Sequence, residues 1–213
     1  MRTIFCHVEE HSMDLALQSL LPRIIDNRAK WKIINHGSKS QLLKNISQRL
    51  EGYKDMARTK DLGILILVDR DREDCHELKE KLERMASNKG LATKKRPDYH
   101  GHFLVVNRVV VEELEAWFFG DIDAVRKGYP RIPATFGNNK KYQDPDAIRG
   151  GTWEALHREM KKAGYFKDHF PKHDVARNIS ANMVPSNNIS SSFQAFKSGL
   201  EALLALPPIV EMA

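Results

Sequence analysis

Residues 62–68 read "LGILILV", an apolar run with no polar interruption. A strand with one wet face alternates apolar and polar residues, because successive side chains point to opposite faces. A run that is apolar throughout needs cover on both faces, the situation of a central strand in a parallel sheet. Such a sheet requires crossover helices, and the flanking sequence provides them. "RTIFCHV" (2–8) and "WKIINHG" (31–37) read as strands, and "HFLVVNRVVV" (102–111) as one further strand or two. Between them lie amphipathic stretches: 12–25, with Ser12 as N-cap; 38–53, ended by Gly52; and 73–90, with Gly90 after its last turn. A fourth helical segment covers 112–128. The order β-α-β-α-β-α-β-α predicts an α/β domain over 1–120, with right-handed crossovers. Residues 121–213 change character. The turn-rich "YPRIPATFGNNKKYQDPD" leads to helical stretches near 152–164 and 190–205, which predict an α-helical extension packed on the sheet domain.

The central run stops in "DRDRED", where Asp69, Asp71, Glu73 and Asp74 crowd together. The chain as a whole is basic, with a formal charge of +6, so an acidic island is not expected from composition. In an open parallel sheet, ligands bind in the crevice at the carboxyl ends of the strands. The first strand also ends in acids, Glu9 and Glu10, so the two clusters are predicted to share one sheet edge. Carboxylates gathered in this way repel one another, and a hard divalent cation such as Mg²⁺ relieves the repulsion while keeping waters for phosphate oxygens to replace. Asp74 and its neighbours also suit the start of the next helix. Glu113 and Glu115 form a second acidic pair; two residues apart on a helix, they do not share a face.

The basic residues are dispersed rather than gathered in a tail, and the sequence pI of about 9.3 favours a polyanionic partner. Lys39 follows "NHGS" at a helix start and is the first candidate for a phosphate contact. Arg70 and Arg72, which alternate with the acids, are candidate outward-facing phosphate contacts, and Lys172 and Arg177 in "KDHFPKHDVAR" are further nucleic-acid-binding candidates. No apolar stretch reaches the ~18 residues of a membrane span. The opening "MRTIFCHVEEHS" meets acidic residues too early for a signal peptide. With only Cys6 and Cys75, no disulfide framework is expected, and the expectation is a cytosolic protein with reduced thiols. "RGGTWEAL" (149–156) lacks the Lys-Ser/Thr ending of a phosphate-binding loop and reads as a helix start. The closing stripe Phe193, Phe196, Leu200, Leu203, Leu204 is core or an oligomer contact.

A strand followed by Glu, then a strand followed by Asp-x-Asp, resembles the Toprim domain of topoisomerases, bacterial primases, ribosomal-RNA-maturing ribonucleases and OLD-type nucleases. In that pattern the Glu acts as general acid/base and the Asp-x-Asp carboxylates hold Mg²⁺ at the scissile phosphate. Carried over here, the resemblance implies Glu9, Asp69 and Asp71 as catalytic and metal-binding residues, with Glu73 as a further ligand and Mg²⁺ or Mn²⁺ as cofactor. Glu10 stands where Toprim domains carry Gly. Over nearly the whole chain, "VEEHSMDLALQSLLPRI", "HGSKSQLLKNISQRLEGY", "LVDRDREDCHELKEKLE", "VEELEAWFFGD", "DPDAI" and "NISSSFQAFKSGLEAL" resemble the Toprim-like family called domain of unknown function 4276. That resemblance implies a nuclease partnered by an ATPase in phage defence, acting on DNA or RNA. The alternatives are a Mg²⁺-binding module that binds a partner ATPase without cleavage, and a receiver-like sensor with Asp69 as phosphoacceptor.

Overall fold

The computed structural model describes residues 1–71 and 73–208. Strands β1 (Thr3–Val8), β2 (Lys30–Asn35), β3 (Leu62–Asp69) and β4 (Val105–Val110) form one all-parallel sheet in the order β2-β1-β3-β4. The order reverses between β1 and β3, so the crevice of the sheet opens at their carboxyl ends. Helices α1 (His11–Ile25), α2 (Lys39–Met56) and α3 (Cys75–Ser87) make the crossovers.

The apolar run of β3 is explained by two cores. Leu62, Ile64, Ile66 and Val68 face α2 and α3, where Leu42, Ile46, Leu50, Leu78 and Leu82 are buried. Leu65 and Leu67 face the opposite side, in a larger cluster with α1 and the C-terminal helices. Each face of the strand therefore leaves water, as the unbroken pattern requires. The edge strand β2 is more exposed, and Lys30, Trp31 and Lys32 lie at its start.

The C-terminal part comprises α4 (Glu115–Phe119), α5 (Ile122–Gly128), α6 (Thr152–Lys162), α7 (Lys172–Ser180) and α8 (Ser191–Ala205). Three short 3-10 turns between 134 and 147 take up the turn-rich segment. Trp117, Phe118, Phe119, Phe193 and Phe196 are fully buried in the larger core, so the closing aromatic stripe is core. Gly199 lets α8 approach β4 closely: a Cβ there would lie 2.7 Å from Val106 Cγ1.

Two helices differ from the sequence expectation. The second runs through Gly52 to Met56, because Tyr53 beyond the glycine is buried against β1 and hydrogen-bonds His7. The segment 112–128 is broken into α4 and α5. Asp121 caps α5 by accepting from the Ala124 amide, and Gly120 sits against Asn188 and Ser190 with no room for a side chain. Of the two free cysteines, Cys6 is buried, whereas Cys75 at the start of α3 is half-buried.

Candidate functional site

The carboxyl ends of β1 and β3 are adjacent, and a hydrogen bond joins their acids directly: Glu9 Oε1 accepts from the Asp69 amide at 3.0 Å. Both side chains are buried, at 7% and 6% exposure. Among the described residues, Glu9 Oε2 and Asp69 Oδ1 have no hydrogen-bond partner. An unpaired buried carboxylate oxygen is costly, because desolvation is not returned by any bond. The pair thus stores unfavourable energy at one point of the sheet edge.

These two residues line a recess of about 240 Å³ together with Glu10, Lys39, Asp71, Glu113, Glu115 and Lys172. Glu115, in the first turn of α4, is 3% exposed and brings a third buried carboxylate from a distant part of the chain. Glu10 is half-buried at the N-terminal boundary of α1. The electrostatics follow from burial. Glu9 is pushed up to about 7 by desolvation, against the opposing pull of the Asp69 amide and Lys39. Asp69 is raised well above the carboxylate range by burial, then by Glu9, Glu10, Glu115 and Asp71. Burial also pushes Glu115 up to about 7, despite Lys172.

The remaining acids have other duties. Asp71 adopts a left-handed backbone (φ 51°), which Asp tolerates, and turns to Lys39 Nζ at 2.5 Å. Glu73 accepts from the same ammonium at 3.0 Å and does not line the recess. Burial pulls the Lys39 pKa down, but the bonds to Asp71 and Glu73 outweigh it and the net movement is up. Lys39 is therefore the internal counter-ion of the Asp71–Glu73 turn, not a free phosphate contact. Asp74 caps α3, accepting from the amides of His76 and Glu77 at 2.8 and 3.0 Å. Glu113 caps α6: its Oε2 accepts from Thr152 Oγ1 at 3.0 Å and from the Trp153 amide at 3.2 Å.

Arg70 turns inward rather than outward and pairs with Glu112, tying the loop after β3 to the loop after β4. Glu112, in a left-handed conformation (φ 63°), was not singled out in the sequence. Arg72 lies outside the described residues. Lys172 reaches the recess from the start of α7, whereas Arg177, one helix turn further on, lies in a neighbouring cleft and pairs with Asp174 at 3.1 Å. Sequence reasoning also missed Trp153 and His157, which flank that cleft. Their i, i+4 spacing on a predicted helix was the available signal.

Do these residues suit a divalent cation? Among the described residues no three His, Cys, Asp or Glu side chains converge into a ready-made ligand shell. The donor chemistry nevertheless fits: hard carboxylate oxygens, two of them buried and without partners, border one recess. Glu9 and Asp69 would hold the ion first, and Asp71 only on leaving Lys39.

A family model matches residues 8–201 of the 213. The chain belongs to the family called domain of unknown function 4276. No curated protein matches this family member significantly. Among solved structures, it is similar to the C-terminal region of the Burkholderia pseudomallei OLD protein, with a TM-score of 0.50 and 12% identity. The similarity covers 96% of this chain and 98% of that one. At that identity the likeness concerns the fold alone: a four-stranded parallel sheet between helices, with a C-terminal helical part. Among the described residues, no helix of the family member is long and apolar enough to cross a membrane.

Proposed function

We propose that this chain is a divalent-cation-dependent phosphodiesterase that cuts nucleic acid at the β1–β3 crevice. The observation that carries the reading is the pair of unpartnered buried oxygens, Glu9 Oε2 and Asp69 Oδ1, at the ends of adjacent parallel strands. Their environment makes the metal-free site electrostatically unsatisfied, which is the preorganisation expected of a cation-binding catalytic centre. Mg²⁺ or Mn²⁺ at Asp69 and Glu9 would supply charge neutralisation at the phosphate and an acidified water.

The protein's own groups have distinct roles. Asp69, rigidly placed at the end of a strand buried on both faces, anchors the site. In the metal-free site Glu9 is pushed up to about 7, so its Oε2 would give up a proton near neutral pH as the cation binds. Glu9 rather than Glu10 takes this role, because Glu9 is buried and bonded to the Asp69 amide whereas Glu10 stands at the rim. Lys172 at the recess wall positions the backbone of the nucleic acid. Lys39 would exchange Asp71 for a phosphate oxygen when the cation takes the carboxylate.

Family resemblance further supports a partner ATPase and a role as the effector of a phage-defence system. One observation favours the second reading, a cation-binding module that serves the ATPase without cleavage: Lys39 already neutralises Asp71. The two readings separate in one experiment. Purified protein is incubated with DNA and RNA panels in Mg²⁺ or Mn²⁺, with and without the adjacent gene product. Cleavage lost in Asp69→Asn and Glu9→Gln supports the nuclease; cleavage by both variants at the wild-type rate sinks the site assignment. Cation-dependent binding of the ATPase with no cleavage under any condition would establish the second reading.

A further inference from the structure

Beside the acidic recess lies a larger cleft of about 730 Å³, and a second depression of about 440 Å³ opens on its far side. Trp153 and His157 line both, so these two rings, one turn apart on α6, form a ridge between them. The rings are nearly parallel, with centroids 6.4 Å apart and planes 18° apart. Phe170, itself buried, lies 6.1 Å from Trp153 at 30° and 5.0 Å from His157, and so backs the ridge. Cations outnumber acids in the smaller depression, where Arg158, Lys161 and Lys162 stand with Glu154; in the larger, Lys172 and Arg177 stand with Asp168 and Asp174, and Arg177 pairs with Asp174 at 3.1 Å until a phosphate displaces it. Lys172 Nζ is 5.0 Å from the centre of the Trp153 ring.

The ridge is also physically joined to the candidate catalytic recess. Glu113 and Lys172 line that recess; the first caps α6 through the Trp153 amide and the second stands over the Trp153 ring. A partly exposed aromatic ridge with ammonium and guanidinium groups on both sides matches a chain that alternates flat apolar faces with phosphates. A duplex hides its base faces in its own stack, whereas a single strand presents them.

We propose that this cleft is the entry track for single-stranded nucleic acid, with a base stacked on Trp153 and the flanking phosphates held by Lys172, Arg177, Arg158 and Lys161. The proposal rests on the nuclease reading for the purpose of the track, but binding here needs neither metal nor cleavage. It is tested by fluorescence anisotropy with labelled 12-mers of oligo(dT) and oligo(rU) and a hairpin duplex, in EDTA.

Stacking on one aromatic side chain implies that Trp153→Ala weakens single-strand binding about tenfold or more. Trp153→Phe retains most of the affinity. Salt dependence stays unchanged in Trp153→Ala and falls by roughly two phosphate contacts in the Arg158→Ala/Lys161→Ala double variant. In a Trp31→Phe background, where the fully buried Trp117 is the other emitter and is shielded from the ligand, tryptophan emission falls on binding through Trp153, a readout that needs no substitution at 153. Equal affinity of Trp153→Ala and wild type, or tight duplex binding insensitive to residue 153, overturns the proposal. Asp69→Asn separates the two claims: normal binding with lost cleavage supports both. Wild-type cleavage by Asp69→Asn alongside weakened binding by Trp153→Ala refutes only the catalytic assignment.

Discussion

Replacing Glu9 by Gln is expected to stabilise the metal-free protein while destroying its response to divalent cations. The Gln Oε1 still accepts from the Asp69 amide, so the 3.0 Å bond across β1 and β3 is kept and only the charge is lost. Glu9 is pushed from its ordinary 4.5 to about 7 in the fold, chiefly by burial. A raised carboxyl favours the folded state while protonated, so this contribution is complete below pH 4.5 and is lost as pH rises through 7. Ionised at pH 8, the wild-type side chain costs about 3 kcal/mol relative to a neutral one. In a chain of this length that corresponds to a melting-temperature gain for the variant of about 5–10 °C. Near pH 4.5 the gain vanishes.

Thermal unfolding of both proteins at pH 4.5, 6 and 8 in EDTA measures the first effect. Repeating the series with Mn²⁺ measures the second: wild type at pH 8 recovers about 3 kcal/mol at a hundredfold excess over the dissociation constant, and the variant recovers much less. A Glu9→Gln protein that is less stable than wild type at pH 8 without metal, or a gain independent of pH, would refute the reasoning. Either result would mean that Glu9 is satisfied in the fold and not held in tension with Asp69.

Two further outcomes test the scaffold. Gly120→Ala is expected to cost about 1–3 kcal/mol, seen as a lower urea midpoint, because its Cβ would lie 2.1 Å from Asn188 Oδ1 and 2.9 Å from the Ser190 amide. Asn188 cannot move aside cheaply, since its Nδ2 donates to the Trp117 carbonyl at 2.7 Å; unchanged stability would show that the α4–α5 junction is looser than described. His7 is lowered to about 3 by burial, then by the charges of His36 and Arg49, and sits 2.9 Å from both His36 Nε2 and Tyr53 Oη. A depressed histidine contributes stability that is present above about pH 6.5 and is lost as pH falls toward 3, at about 1.4 kcal/mol per pH unit. Urea unfolding at pH 7, 6 and 5 should show that slope in wild type and a smaller one in His7→Gln; equal slopes would place the proton elsewhere.

Much of the fold was readable because it is written locally. The continuous apolar run of β3 demanded two covered faces, and the structure covers both. The strand-helix alternation determined the crossovers, and the acids at the ends of β1 and β3 marked the sheet edge. What failed locally did so for tertiary reasons. Gly52 does not end its helix, because Tyr53 is held by His7 from another strand. Gly120 breaks a segment that looks continuous, because Asn188, far along the chain, occupies the space beside it.

The site divides in the same way. Sequence by itself determined which strands end in carboxylates, and that Asp69 and Glu9 lie on one edge, since parallel pairing and a period of two leave little choice. Only the tertiary structure decided what each acid does there. Burial leaves one oxygen each of Glu9 and Asp69 without a partner among the described residues and raises the Glu115 pKa, whereas the neighbouring Asp71 and Glu73 are neutralised by Lys39, Asp74 caps α3 and Glu113 caps α6. Arg70 is spent on Glu112, and Lys172 arrives from a helix more than a hundred residues after β1. Desolvation and counter-charge depend on which surfaces meet in space, and no window of sequence contains both partners.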